Sequence, residues 1–552
     1  MDKRLTLTAT FLMLLFATGA HAATVYRFAG DRLSWAYHLK VDGEEVPVTA
    51  FPNIDAAAYD RIAAENAKIA KWLAPAAKYV GIHYAHLACS GELKVELTAS
   101  EPIRSFTIHP KRRAVQAAAE DNLLRFNIDL REPRYLVIEV NDLPPFCLIV
   151  DPPEKNAPSP TSENVVNASK FLTDATGKTD QTEGFAKAIA AVNGTGKILY
   201  IPAGVYLTDT IKIHKASNLG IYLAAGCMIR TKTSPPGKNV HALGISIDES
   251  KNIKFFGRGY LDQQAYENFA AGGNDYRHRE GTDTDPKGTF GDYQAVPALS
   301  QSAVLIVRSQ DIEVDGLTIR NGRCFNYDVI GCDRVTLRSC KVLTPPASVP
   351  EWTDGIDVVS TDSLAIDGFF VYCNDDCFAW GNVPDSGPMI ELAQSRELSN
   401  CTVRGMVGWN SRANAIRLGW HGNGSVVGIR DILFDNCDFC GMEASAILLS
   451  KLKEDPAVAT PRSNGALRFH DCGFDCERIH GRPFASRKVR IELLDFENVA
   501  VDVPGKTWVI EGADSGAIGQ LIFRNVTIAG KKVTNLKQVE INAGNVGKIT
   551  VE

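Results

Sequence analysis

Short runs in which apolar and polar residues alternate recur along most of the chain, and this period of two predicts an all-β protein. In residues 23–150 turn residues separate the runs, as at 93–97 and 136–140, which is typical of a small antiparallel β-sandwich. The alanine-rich residues 55–72 are an exception and predict a helix or a long insertion. Helical spacing behind a polar start predicts one short helix at 180–191.

A second pattern begins after a Pro-rich segment at 151–164, whose composition favours an extended linker over packing. Beyond it, a unit of apolar, variable, apolar, two variable and then one polar or Cys position recurs. Its first three clear copies start 23 and 29 residues apart, at residues 312, 335 and 364. One coil of three short strands cannot bury its inward side chains, whereas a stack of coils buries a continuous core. The repeat predicts a right-handed parallel β-helix over 165–552, capped by the short helix and preceded by the small β-sandwich domain at 23–150.

The amino terminus carries the pattern of a secretory signal peptide. Lys3 and Arg4 precede an apolar run at 5–20, which ends in the small-x-small sequence Ala20-His21-Ala22. We therefore expect residues 1–22 to be removed and the protein to be secreted or periplasmic. No later stretch approaches 18 unbroken apolar residues, so we expect no membrane contact after signal removal.

Composition narrows the choice of partners. Lys plus Arg number 59 and Asp plus Glu 65, so the net charge of −6 gives no basic field that would favour nucleic acid.

Among the 13 cysteines, Cys437 and Cys440 have CxxC spacing. Residues three apart on a strand face opposite sides, which suits a shared metal poorly. We expect the cysteines to stack in the β core with one or two disulfides, and we expect neither a metal nor a cofactor.

The segments TDGID at 353–357 and NDDCFA at 374–379 contain the candidate catalytic residues. Asp354 and Asp375 are 21 residues apart, close to one coil, and positions one coil apart lie above each other at about 4.8 Å. Asp354, Asp375 and Asp376 would thus converge on one face of the stack. Carboxylates this close raise one another's pKa, which suits a site that needs a protonated acid beside ionised bases. Four isolated aspartates at coil corners are expected to make only local hydrogen bonds: Asp315, Asp362, Asp367 and Asp435.

The two motifs, TDGID and DDCFA, resemble the NTDG…DDC(I/V)A signature of polygalacturonase-type glycoside hydrolases, family 28. Asn374-Asp375-Asp376 and the sequence IRLGW at 416–420 are also similar to the related dextranase and isopullulanase group, family 49, whose members carry a β-sandwich ahead of a β-helix. The resemblance implies a pectin-lyase-like solenoid and an inverting hydrolase of polysaccharides or oligosaccharides. Asp375 would be the general acid, and Asp354 and Asp376 would hold and deprotonate the attacking water.

The chain also departs from the polygalacturonase pattern. Trp352 stands where that family has Asn, and the Gly-His-Gly motif is absent from 395–400. In the Arg-x-Lys pair that grips substrate carboxylates, Arg417 is present but Gly419 replaces Lys, which removes a charge that would favour galacturonate. Both a pectic galacturonan-type substrate and a neutral α-glucan such as dextran therefore stay open. The predicted substrate-binding residues are Trp352, Arg417, Trp420, His421 and Lys451, and the plausible sugar-stacking residues are Trp352, Trp380, Trp409 and Trp420.

Two other functions fit the same scaffold. A polysaccharide lyase would use the aspartates to hold Ca²⁺, which prefers several oxygen ligands, and an Arg or Lys as the base. A non-catalytic carbohydrate-binding β-helix would bind glycans without turnover. The TDG and DDC motifs one coil apart favour the hydrolase.

Overall fold

The computed structural model of the protein describes residues 15–16, 23–28, 30–51, 81–233, 243–270, 302–323, 325–344, 353–381, 397–410, 413–419, 429–442, 444–450, 464–475, 482–487, 489–503, 507–513 and 515–552. Its strands form two groups of sheets, a mostly antiparallel pair and a long parallel stack. The predicted helix or insertion at 55–72 lies outside the described residues. Among those described, no helix is long and apolar enough to cross a membrane.

Two sheets near the amino terminus form a β-sandwich whose apolar residues share one core, which includes Leu39, Leu97 and Leu148. The larger sheet consists of Leu15–Phe16, Ala23–Val25, Arg32–Leu33, Thr49–Phe51, Ile82–Ala88, Phe106–His109, Arg134–Val140 and Phe146–Asp151. The smaller sheet consists of Tyr37–Val41, Glu44–Val46, Glu92–Ala99, Ala117–Glu120 and Leu123–Asp129. Strand Leu123–Asp129 alternates buried and exposed positions, as expected of a sheet with one solvated face.

The rest of the chain is a right-handed parallel β-helix of three sheets, named here in the order in which each coil runs through them. Sheet 1 contains Val165–Asn167, Ile198–Ile201, Ser217–Leu223, Lys251–Gly257, Gln310–Asp315, Asp333–Arg338, Asp362–Asp367, Leu398–Arg404, Ile429–Asp435, Asn464–His470, Ile491–Glu497, Ile518–Arg524 and Val546–Val551. Sheet 2 contains Thr176–Asp180, Gly204–Thr208, Cys227–Thr231, Tyr260–Asp262, Thr318–Arg320, Lys341–Leu343, Phe370–Cys373, Val407–Asn410, Asp438–Cys440, Gly473–Asp475, Ala500–Asp502, Thr527–Ile528 and Lys531–Lys532. Sheet 3 contains Ile211–His214, Ile245–Asp248, Val304–Val307, Tyr327–Ile330, Ile356–Val359, Phe378–Gly381, Ile416–Leu418, Ile447–Ser450, Phe484–Arg487, Trp508–Glu511 and Ile541–Gly544.

The predicted capping helix is present as Thr182–Val192. Its buried residues Phe185, Ala188, Ile189 and Val192 follow helical spacing and belong to the core of the β-helix, so the helix closes the first coils. The structure also has a short α-helix at Ala265–Ala270 and 3₁₀ helices at Lys111–Arg113, Ala168–Lys170 and Leu536–Val539.

Identical side chains stack along the core because successive coils are in register. Phe434, Phe469, Phe496 and Phe523 form one such column, with ring centroids 5.2–5.3 Å apart and interplanar angles of 7–11°. The eleven described cysteines are also buried, and none of these eleven forms a disulfide. The predicted burial of cysteine in the core is confirmed for them, while the predicted disulfides are not found among them.

The sandwich packs directly onto sheet 2, which corrects the expectation that the segment 151–164 spaces the two parts. Asp151 is the last residue of a sandwich strand rather than the start of a linker, and it is completely buried. Strand Phe370–Cys373 is buried on both faces, because Val371 and Cys373 point into the β-helix core while Phe370 and Tyr372 pack against the sandwich. The apolar side chains on the outer face of sheet 2 must be shielded from water, and the sandwich shields them.

Candidate active site

The three candidate carboxyl groups lie where the chain passes from sheet 2 to sheet 3. Asp375 and Asp376 occupy the turn between Phe370–Cys373 and Phe378–Gly381, and Asp354 stands just before Ile356–Val359. Ile356 pairs with Phe378, and the Gly355 amide donates to the Asp376 carbonyl oxygen at 2.9 Å. The coil is therefore 22 residues long at this point, so that Asp354 stacks on Asp376 and Asp375 lies one position earlier.

One carboxylate oxygen from each of Asp354, Asp375 and Asp376 lies within 4.8 Å of the other two. Asp354 and Asp376 are 5% and 1% exposed, whereas Asp375 is partly exposed. Carboxyl groups crowded this closely in a buried turn cannot all carry a full charge. The structure therefore brings together the three aspartates that the sequence singles out, with one of them accessible from outside.

Asp376 is held by donors on both of its oxygens. The Asn414 amide and its Nδ2 donate to Oδ1 at 2.8 and 2.7 Å, and Arg417 Nη1 donates to Oδ2 at 3.0 Å. Asn414 lies one coil after Asp376, because Phe378 pairs with Ile416. Asn414 was not predicted, since the 38 residues between it and Asp376 hide the register in the sequence.

Asp354 has the opposite environment. Burial raises its pKa well above the ordinary range, and the neighbouring charges of Asp357, Asp375 and Asp376 raise it further, with Arg417 opposing them. Its Oδ1 is buried and has no hydrogen-bond partner among the described residues. Asp354 and Asp376, one coil apart, are therefore chemically different: the first favours its protonated form, and the second accepts three hydrogen bonds.

Local hydrogen bonds fix the turn that carries these groups. The Asn374 amide donates to Thr353 Oγ1 at 3.2 Å, the Thr353 hydroxyl donates to Asn374 Oδ1, and the Asp376 amide donates to Asp375 Oδ1 at 2.9 Å. Gly355 is required because a Cβ there would lie 2.5 Å from the Cys377 carbonyl oxygen. The Thr-Asp-Gly sequence thus links two coils through Thr353 and lets them approach closely at Gly355.

The other predicted site residues have different outcomes. Arg417 lies beside the cluster, with 12% of its side chain exposed, and contacts Asp376. Trp352, Trp420, His421 and Lys451 lie outside the described residues, and their roles stay predictions.

Trp380 and Trp409 are only 1% and 2% exposed, so the prediction that they stack on sugars is wrong. Trp380 belongs to the β-helix core and Trp409 to the interface with the sandwich.

Two further carboxyl groups behind the cluster were missed from the sequence. Asp357 and Asp328 are 3% and 2% exposed and pair in register on adjacent strands of sheet 3. Burial raises the pKa of Asp357 well above its usual range, with Asp328 adding to the effect, and burial raises the pKa of Asp328 to about 7. The signal was available in the alternation of Ile356-Asp357-Val358, which places Asp357 on the outer face of the sheet.

A protonated carboxyl group, a hydrogen-bonded carboxylate and a third, accessible carboxyl group within one turn of a parallel β-helix are the parts of an acid–base hydrolase of sugars. Residues 193–386, which include all three aspartates, match the family model described as Glycosyl hydrolases family 28. The match confirms the resemblance to that family and the prediction of a glycoside hydrolase. Comparison with curated proteins gives no significant match.

Solved structures with a similar chain trace include three enzymes. The family 28 exopolygalacturonase of Yersinia enterocolitica is 14% identical, with 100% of this chain and 99% of that chain covered and a TM-score of 0.44. Dex49A of Penicillium minioluteum is 13% identical, with 95% of both chains covered and a TM-score of 0.48. The hyperthermoactive exopolygalacturonase of Thermotoga maritima is 17% identical, with 71% and 92% covered and a TM-score of 0.48.

Proposed function

We propose that the protein is an exported glycoside hydrolase that cleaves a polysaccharide or oligosaccharide with inversion at the anomeric carbon. Asp375 is the general acid, and Asp354 and Asp376 hold and deprotonate the attacking water. The observation that carries this proposal is the convergence of three carboxyl groups whose surroundings differ. Asp375 is the partly exposed member, which suits a group that must reach the glycosidic oxygen.

These roles determine where each proton goes during the reaction. Water attacks the anomeric carbon as the bond from that carbon to the leaving oxygen breaks. Asp375 gives its proton to the leaving oxygen, and the proton of the water passes to the Asp376 carboxylate while Asp354 holds the water in place. The proton that Asp376 takes up must return to Asp375 before the next turnover.

The separation of the carboxyl groups makes the stereochemistry a sharp test. Acid and base in inverting enzymes usually stand about 6.5–9.5 Å apart, and the pair in retaining enzymes about 5–5.5 Å. The oxygens here lie within 4.8 Å. Inversion at this spacing requires the water to sit beside the carboxyl pair rather than between acid and base. Proton NMR of the first-formed product anomer decides the matter, and a retained anomer would make one aspartate a nucleophile.

The contact between Arg417 and Asp376 bears on whether the substrate is an acidic galacturonan or a neutral glucan. A galacturonan would need a cation free for its carboxylates, but Arg417 Nη1 is bound to Asp376. A neutral glucan needs no such cation. A screen of the purified protein on polygalacturonate, rhamnogalacturonan, dextran and pullulan, with reducing ends measured, separates the two classes.

The central prediction concerns Asp375. We expect Asp375→Asn to lower the release of reducing ends by about 10²–10⁴-fold, which is the usual contribution of a general acid. Circular dichroism of the variant should match the wild type, because the change keeps the size of the side chain. The matched control is Asp367→Asn, since Asp367 is exposed at the end of a sheet 1 strand in the same coil. Substantial activity in Asp375→Asn would refute the assignment.

A calcium-dependent lyase is the second candidate. It is favoured by the three carboxylates within 4.8 Å and by Asp354 Oδ1, which finds no hydrogen-bond partner in the described part of the chain. These oxygens fit the donors that Ca²⁺ prefers, whereas the cationic Arg417 at Asp376 opposes a divalent ion. The lyase predicts that a chelator stops the reaction and that the product absorbs ultraviolet light. The hydrolase predicts neither.

Export is the remaining part of the proposal. Cleavage after Ala22 would leave Ala23 as the first residue of the mature protein. Mass spectrometry of the protein recovered from the periplasm or medium of its host tests this, and an intact Met1 there would contradict it.

A further inference from the structure

Asp357 and Asp328 form a second carboxyl pair directly behind the proposed catalytic cluster. Ile356 and Val358 point into the β-helix core, so Asp357 between them lies on the outer face of sheet 3. Asp328 is its partner one coil earlier. Adjacent strands are about 4.8 Å apart, and two buried carboxylates at that distance cannot both be ionised without a large cost.

The fold itself gives no reason for a carboxyl group at 357. Ser302 Oγ donates to Asp328, but the buried Oδ2 of Asp357 has no hydrogen-bond partner among the described residues. An unsatisfied buried oxygen costs stability. A structural role would be met better by an apolar side chain at this position, so a functional role accounts for the carboxyl group.

Asp357 belongs to a column of side chains from paired positions in successive sheet 3 strands. This column has an acidic end and a basic end. Asp357 pairs with Ala379, and Ala379 pairs with Arg417, so only a methyl group stands between the carboxyl and the guanidinium positions. Beside this column, Asp354 lies toward the acidic end and Asp376 toward Arg417. The charged groups around Asp357 are the acidic Asp328, Asp375 and Asp376 and the basic Arg417, and Asp357 in turn acts on Asp354.

We propose that Asp357, supported by Asp328, is a positioning residue that sets the charge on Asp354, whereas Arg417 holds Asp376 through a hydrogen bond. Two stacked aspartates are thereby given different electrostatic surroundings by the two ends of one column of side chains. The inference rests on the proposed hydrolase function for its kinetic consequence. It concerns Asp354 itself and is therefore also testable without turnover.

The experiment compares wild type, Asp357→Asn and Asp328→Asn over a range of pH. Asp357→Asn removes a group that carries a negative charge once it is ionised, so Asp354 becomes easier to ionise and the pH profile of kcat/KM should move to lower pH by about one unit. Asp328→Asn should shift the profile in the same direction by less. KM should change little, because Asp357 is 3% exposed and does not reach substrate. Asp367→Asn, exposed in the same coil, should leave the profile unchanged.

A titration of the Asp354 carboxyl band separates failure of this inference from failure of the proposed function. The band is obtained as the infrared difference between each protein and the same protein carrying Asp354→Asn. A shift to lower pH in Asp357→Asn supports the inference even if no substrate is turned over. An unchanged titration overturns it, and so does an equal loss of activity at every pH without a shift of the profile.

Discussion

Neighbouring groups decide what each aspartate of this chain does. Asp362 accepts hydrogen bonds from Ser399 Oγ at 2.6 Å and Asn400 Nδ2 at 2.7 Å, and Asp435 pairs with Arg404 at 2.8 Å. Such corner aspartates have the local roles that single positions in a coil predict. Asp354, one of the stacked pair, has no such donor on its Oδ1 among the described residues and is surrounded by acids.

The contact between Arg417 and Asp376 can be tested by substitution. Its bond to Asp376 is charge-assisted and mostly buried, and such bonds contribute about 1.5–3 kcal/mol. We expect Arg417→Met to lower kcat about 10–100-fold with a small change in KM, measured by steady-state kinetics. A selective rise in KM on galacturonan would instead show that Arg417 binds substrate.

The control for that variant is Arg404→Met. Arg404 also pairs with an aspartate in a neighbouring coil, but it lies on sheet 1 with 58% of its side chain exposed. It should leave both kcat and KM unchanged.

Each coil of the β-helix is a repeated element with a fixed corner. At the start of the sheet 1 strands, several residues adopt left-handed backbone angles with φ of 48–59°, as at Asn218, Asn252, Asp311, Ser363, Asn400 and Asp431. Asn252 Nδ2 donates to Asn218 Oδ1 at 2.7 Å, so side chains form a ladder along the corner. Asn and Asp tolerate this conformation because their short polar side chains can hydrogen-bond to the local backbone.

The close approach of two coils at Gly355 can be tested by substitution. A Cβ at this position would lie 2.5 Å from the Cys377 carbonyl oxygen and 2.7 Å from Val371 Cγ1. We expect Gly355→Ala to push the two coils apart, to lower the free energy of unfolding by about 1–3 kcal/mol and to reduce activity by displacing Asp354. Thermal unfolding and initial rates measure both effects.

Gly544 is the matched control. It is the last residue of a sheet 3 strand, whereas Gly355 directly precedes one, and a Cβ at Gly544 would meet nothing closer than 4.0 Å. Gly544→Ala should be close to neutral. Equal behaviour of the two variants would contradict the argument.

At the scale of the whole molecule, the sandwich and the β-helix are joined by a buried polar contact. Lys341 of sheet 2 donates to Asp151 of the sandwich, and both side chains are completely buried. His86 and Tyr135 also bond to the Asp151 carboxylate, at 2.9 and 3.0 Å. We propose that the parts at 23–150 and 165–552 act as one rigid body through this contact and the apolar packing around it.

Removal of one partner from this contact leaves a buried charge uncompensated. We expect Lys341→Met to destabilise the protein by about 3–5 kcal/mol, measured by denaturant unfolding with tryptophan fluorescence. Trp409 lies in the same interface and reports the loss of docking. Lys40→Met breaks the exposed pair with Glu45 and should cost at most about 1 kcal/mol, so an equal loss in the two variants would refute the special role of the buried contact.

The architecture and the catalytic candidates can be predicted from the amino-acid pattern alone. The period of two, the coil repeat and the helix before the first coils follow from which residues must be buried. The TDG and DDC motifs identified Asp354, Asp375 and Asp376 because their spacing is close to one coil. The register between coils, however, depends on which residues of adjacent strands pair, and motif spacing does not show this. The spacing therefore predicted Asp354 above Asp375, whereas the 22-residue coil stacks Asp354 on Asp376.

The properties that arise between distant segments follow from the folded arrangement of the chain. The burial of Trp380 and Trp409 depends on the interior of the stack and on the sandwich that covers sheet 2. The contrast between Asp354 and Asp376 depends on Asp357 and Arg417, since burial and nearby charge set a pKa and both require known distances. Local pattern fixes which face a side chain takes, and long-range packing fixes what it meets there.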